Sequence, residues 1–110
     1  MDYSIVYFSI AVQQQVLELP DALAARYVVL ARRMVAIGPN LGMPHTKAMG
    51  EGLFELRLKG TEGIARGCYR TVMNRRIVML HSFIKKTERT PKRDLVLAIG
   101  RMKEVKHANS

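Results

Sequence analysis

After Gly52 the apolar residues change their period, and this change limits the possible folds more than any other feature of the chain. Phe54, Leu56 and Leu58 alternate with Glu55, Arg57 and Lys59, the two-residue repeat of a half-buried strand with one wet face. Gly60-Thr61-Glu62-Gly63 is a turn signal. A second strand follows from Ile64 to about Val72 and, across Asn74-Arg75, a third from Arg76 to Ile84. Three strands in sequence with short turns make an antiparallel meander. If Lys59 faces Ile64 across the first turn and Met73 faces Arg76 across the second, Arg57 lies opposite Arg66 and Glu55 opposite Cys68. Arg66 then lies opposite Phe83 and Cys68 opposite His81, all on one sheet face.

The residues before Gly52 read as scaffold. Tyr3 to Ile10 is rich in aromatic and β-branched residues and suggests a first strand. Gln13 to Leu19 suggests a short helix stopped at Pro20. From Asp21, the stripe Leu23, Tyr27, Leu30, Met34 and Ile37 predicts a longer helix ended by Gly38-Pro39, with a Gly- and Pro-rich loop from Gly38 to Gly52. Thr90-Pro91 begins a last helix, Thr90 as N-cap and Pro91 as first helical residue, with Leu95, Ile99, Met102 and Val105 on one face. The expected order is β-α-α-β-β-β-α. This is an α+β fold in which an N-terminal helical hairpin packs on the antiparallel sheet. A chain of 110 residues has material for one core, so a single domain over 1–106 and a mobile polar tail over 107–110 are expected. Cys68, the one cysteine, excludes a disulfide framework and fits a reducing cytoplasm. Neither a secretion signal nor a membrane-spanning run is expected.

Charge is distributed unevenly. Residues 1–44 hold three basic and three acidic residues, so residues 45–110 carry the whole net charge of +9. That asymmetry points to a polyanionic partner, either nucleic acid or an acidic protein. The register gathers Glu55, Arg57, Arg66, His81 and Lys85 on one face, with Lys47, Lys59, Lys86 and Arg89 around them. Two arginines directly opposite each other repel, so their apposition suggests an anion site. Guanidinium forks can hold nonbridging phosphate oxygens while titratable groups move protons. RNA could then be cut by its own 2′-hydroxyl, with Glu55, His81 and Lys85 as candidates for proton transfer. Each residue also has a structural reading. Glu55 could neutralise Arg57 or Arg66, His81 could be a hydrogen-bonded core histidine, and Lys85, Lys86 and Arg89 could be a solvated loop. Cys68 reads as a small packing residue. His45, His81 and His107 have no metal-ligand spacing, and no Gly-rich phosphate loop is present, so neither metal nor cofactor is expected.

The runs Gly52-Leu53-Phe54-Glu55-Leu56-Arg57, Arg66-Gly67-Cys68-Tyr69 and His81-Ser82-Phe83-Ile84-Lys85-Lys86-Thr87, followed by Thr90-Pro91 and Ala98 through Met102, carry a resemblance. In this order they resemble the phage-derived HigB-like branch of the RelE/ParE toxin superfamily. The resemblance implies a microbial RNase-like fold with a curved sheet and the toxin of a type II toxin–antitoxin system. Relatives of the RelE and HigB kind cleave mRNA in the ribosomal decoding site without a metal. It places phosphate-binding roles on Arg57 and Arg66 and working basic residues at Lys85, Lys86 and Lys47. It also implies a separately encoded antitoxin, often a helix-turn-helix protein of HigA-like kind, as partner beside ribosome and mRNA. The competing expectation is a ParE-like inhibitor of DNA gyrase with no enzymatic activity, a kind that generally lacks the basic cluster. Gly67-Cys68 departs from the family pattern, which usually has two larger apolar residues there.

Overall fold

The computed structural model describes residues 2–85 and 90–108, the last two as backbone only. In chain order the elements are β1 (Ser4–Tyr7), α1 (Ile10–Leu17), α2 (Asp21–Ile37), β2 (Thr46–Gly50), β3 (Leu53–Gly60), β4 (Gly63–Val72), β5 (Arg76–Lys85) and α3 (Lys92–Ala108). The α+β class, the helical hairpin and the meander are as expected. The sheet order is β1-β5-β4-β3-β2. Two features of the strand order differ from the sequence reading. The sheet is mixed, because β1 takes the edge of β5 that the meander leaves open and runs parallel to it. The Gly38–Gly52 stretch also contains a strand, β2, which pairs antiparallel with β3. Its sequence, Thr-Lys-Ala-Met-Gly, has no alternation to announce it, and the unpaired edge of β3 supplies its partners.

Local chemistry sets the helix ends. Ser9 accepts the Val12 N–H through Oγ at 3.2 Å, so α1 begins at Ile10 and the first strand stops sooner than the apolar run suggests. Pro20 offers α2 no side-chain cap. Instead, Glu62 reaches from the β3–β4 turn and accepts the Ala22 N–H at 2.7 Å, tying the helix start to the meander. Leu23, Tyr27, Leu30 and Met34 are buried as their spacing requires, whereas Ile37 is exposed at the last position before Gly38. Gly38 takes φ +117, a left-handed value suited to glycine. Before α3 the hydroxyl of Thr90 donates to Glu55. The helix starts at Lys92, one residue later than the sequence suggests, its first bond running from Leu95 N–H to Pro91 O at 3.1 Å. It continues to Ala108, into the stretch expected as tail. Among the described residues no helix is long and apolar enough to cross a membrane.

Both sheet faces are covered, by different helices. On one, α1 and α2 pack against Leu56, Leu58, Ala65, Tyr69, Ile77 and Met79. On the other, α3 sets Ala98 and Met102 against Leu53, Cys68, Val78 and Leu80. The wet face expected for β3 is therefore not wet at Glu55, which lies under the start of α3. Glycine at position 67 has a packing reason: a Cβ there would meet the terminal methyl of Met79 at 2.8 Å. Met79 thus fills the space that a larger residue would occupy.

The register of β3 on β4 is as read from the turn, with Arg57 opposite Arg66 and Glu55 opposite Cys68. The β4–β5 hairpin reaches its register differently. Val72, not Met73, faces Arg76, and Asn74 and Arg75 in the turn both adopt positive φ. An irregularity between Cys68 and Tyr69 then shifts the pairing by one residue, so Cys68 still faces His81 and Arg66 still faces Phe83. The longer turn and the bulge offset each other.

A basic cleft at the open end of the sheet

The register places three rows of side chains across the face that α3 covers. Glu55, Cys68 and His81 form the first, Arg57, Arg66 and Phe83 the second, and Lys59, Ile64 and Lys85 the third. Residues at the start of α3 close over the first row: Thr90 donates to Glu55 Oε2 at 2.6 Å, and Asp94 Oδ1 lies 2.7 Å from His81 Nε2. His81 also stacks on Phe83, with ring centroids 5.2 Å apart. Beyond the reach of α3, towards the β3–β4 turn, the face opens into a cleft of about 510 Å³.

Glu55 makes the apposed arginines tolerable. Its Oε1 lies 3.3 Å from Arg66 Nε and 3.7 Å from Arg57 Nη1, so one carboxylate oxygen serves two guanidinium groups. Glu55 and Arg66 are 2% and 3% exposed, whereas the Arg57 side chain is 23% exposed. A buried carboxylate is retained only if paired and hydrogen-bonded, and here the other oxygen accepts from Thr90. Arg66 is further held by donating through Nη1 to Ala65 O at 3.1 Å. The result is one accessible and one nearly buried guanidinium fixed side by side.

The cleft is lined by Arg26, His45, Arg57, Lys59 and Arg66, with Pro44 and Ile64 as apolar wall. Among the described residues no carboxylate lines it. β2 begins at Thr46, opposite Leu56, so the strand pairing stops there. The Arg57 N–H there donates to His45 O at 2.8 Å, and Arg26 of α2 donates through Nη2 to His45 Nδ1 at 3.2 Å. Partial desolvation, with Arg26 and Arg33 adding repulsion, holds the His45 pKa below the ordinary 6.5.

Of the residues singled out in the sequence, Arg57, Arg66 and Lys59 reach the cleft. Glu55 lies one row inward, as their counter-charge. His81 is buried beneath α3 and bonded to Asp94. Lys85 is 5% exposed, opposite Ile64 of the cleft wall but not itself lining it. Lys47 is exposed on β2, opposite Glu55. Lys86 and Arg89 lie outside the described residues. Cys68 is buried, and its thiol is pushed up to about 12 by burial, with Glu55 and Asp94 adding to the shift. Among the described residues no group of His, Cys, Asp or Glu could hold a metal ion.

Sequence reasoning missed Arg26 and His45. Arg26 stands in the half of the chain whose charges cancel, and only the packing of α2 brings it to the cleft. His45 lies in the stretch read as loop. The available signal was its closeness to the strand that carries Arg57.

A family model described as "Phage derived protein Gp49-like" matches residues 14–103, which takes in the whole meander and most of the helices on either side. That family is linked to the toxins of toxin–antitoxin systems. No curated protein matches the sequence. With this match across most of its length, the chain belongs to the phage-derived Gp49-like family.

Proposed function

We propose that the chain is the toxin of a type II toxin–antitoxin pair, of the HigB-like kind, and that it cuts ribosome-bound mRNA. The observation that carries this reading is the cleft itself, in which four cationic side chains and a histidine converge, with no carboxylate among the described lining residues. Such a site suits a phosphodiester. Arg57 and Lys59 would bind nonbridging oxygens, and Arg66, fixed by Glu55, would add a preorganised positive field as charge grows on phosphorus. In the reaction the 2′-oxygen forms a bond to phosphorus and gives up its proton, and the bond to the 5′-oxygen breaks as that oxygen takes one. A 2′,3′-cyclic phosphate and a 5′-hydroxyl result. Lys85, opposite Ile64 of the cleft wall, would transfer protons. His81 and Glu55, each bonded to a partner, hold the face in shape. A separately encoded antitoxin of the helix-turn-helix, HigA-like kind would keep the toxin inactive.

The test follows a defined mRNA by primer extension, with programmed ribosomes and with ribosomes omitted. Cuts within codons positioned in the decoding site, absent without ribosomes, are expected. Intact mRNA in both lanes, together with inhibition of DNA gyrase supercoiling by the same folded protein, would overturn the proposal in favour of a gyrase inhibitor.

A further inference from the structure

The hydrogen bond between Arg26 and His45 fixes more than a side-chain position. A guanidinium only donates, so the atom 3.2 Å from Arg26 Nη2, His45 Nδ1, must accept. Nδ1 therefore carries no proton, and the proton of the neutral ring sits on Nε2. Protonating Nδ1 would set two donors against each other. Arg26 and Arg33 from α2 both disfavour a charged ring, and the other charged residues lining the cleft among the described residues, Arg57 and Lys59 from β3 and Arg66 from β4, are also cationic. The carboxylate of Glu55 is already shared by Arg57 and Arg66 and bonded to Thr90.

We infer that His45 is a neutral hydrogen-bond donor to the phosphate held in the cleft, contributing through Nε2–H, and that Arg26 is the positioning residue that sets its tautomer. The inference rests on the proposed phosphodiester site but assigns it a contact that charge counting does not supply. A neutral imidazole offers a directional donor without adding a further charge to the four cations that line the cleft, and it does not compete as a base while its acceptor nitrogen is occupied. It also predicts that His45 does not set the pH dependence of the reaction above about pH 6.5.

Two measurements test this. The first uses nitrogen-15 NMR of the His45 ring at pH 7, with and without a short 2′-O-methyl oligoribonucleotide, which lacks the attacking hydroxyl. Nε2 should carry the proton, its resonance should move as the oligonucleotide binds, and in Arg26→Ala the ring pKa should rise towards 6.5. A proton on Nδ1, or a ring unmoved while the Arg57 guanidinium resonances shift, would overturn the inference. The second compares cleavage by His45→Leu and His45→Gln. Leu should lose on the order of 100-fold in rate, while Gln, which can still donate, should recover about tenfold of that loss with the pH profile unmoved. Equal losses with a displaced acidic limb would show proton transfer by His45 and contradict the donor role. If the parent protein cuts no mRNA but the Nε2 resonance still responds to the oligonucleotide, the nuclease reading fails and the donor assignment stands.

Discussion

At Glu55 the structure gives a structural role to a residue that the sequence offers as a candidate for proton transfer. In an alternating strand it reads as a solvated carboxylate beside two arginines and hence as a candidate base. In the structure both of its oxygens are engaged, one by Arg57 and Arg66 and the other by Thr90. Replacing it by Gln keeps the size and the bond to Thr90 but removes the carboxylate charge from beside buried Arg66. The expected loss is about 3 kcal/mol of stability, read from urea denaturation. Arg57→Ala, removing a more exposed partner, should cost no more than about 1 kcal/mol. Cys68 offers a sharper check of burial. With its thiol near 12 rather than the ordinary 9.0, the thiolate fraction at pH 8 falls by about three decades, and iodoacetamide should label the protein only after unfolding. The same shift costs stability at high pH. In the unfolded chain the thiol ionises near 9.0 and in the folded protein near 12. Its stabilising contribution is thus complete below 9.0 and declines as pH rises towards about 12.

The elements are joined by polar contacts that cross long stretches of chain. Glu62 in the β3–β4 turn caps α2 through the Ala22 N–H, so Glu62→Ala should cost about 1 kcal/mol in thermal or urea unfolding and leave the sheet intact. This contact could not be read from the sequence, because the usual cap lies next to its helix and this one comes from a distant hairpin. The meander was legible for the opposite reason: alternation and turn residues are local signals, and they placed Arg57 against Arg66 before any coordinates. The β4–β5 register shows where such reasoning meets its bound. The bulge between Cys68 and Tyr69 has no mark in the residue types, and the expected pairing of Cys68 with His81 holds only because the turn at Met73 is also one residue longer than assumed. β2 was missed because its pairing comes from the edge of β3 and not from its own sequence. The hydroxyl of Thr90, which the sequence offers only as a helix cap, also donates to Glu55 on the sheet.

Across the whole molecule, the fold converts an uneven linear charge into a localised one. The excess of +9 resides in residues 45–110, yet the cleft also takes Arg26 from the half that is neutral overall. Half of the site was therefore visible as a strand pattern, and the rest depended on how α2 packs against the far side of the sheet. A cleft this cationic should bind RNA with a steep salt dependence. Raising salt from about 50 to 200 mM should weaken binding by roughly tenfold or more for even two or three phosphates neutralised, and a flat response would exclude an RNA partner for this face. Binding alone does not distinguish an enzyme from a passive basic surface. The most direct measurement is single-turnover cleavage of mRNA on saturating programmed ribosomes, comparing the parent protein with folded Arg57→Ala. If Arg57 stabilises charge at the scissile phosphate, cleavage should fall by on the order of 100-fold while ribosome affinity changes by only a few fold. Undiminished cleavage by Arg57→Ala would contradict the assignment of the cleft as the site of reaction.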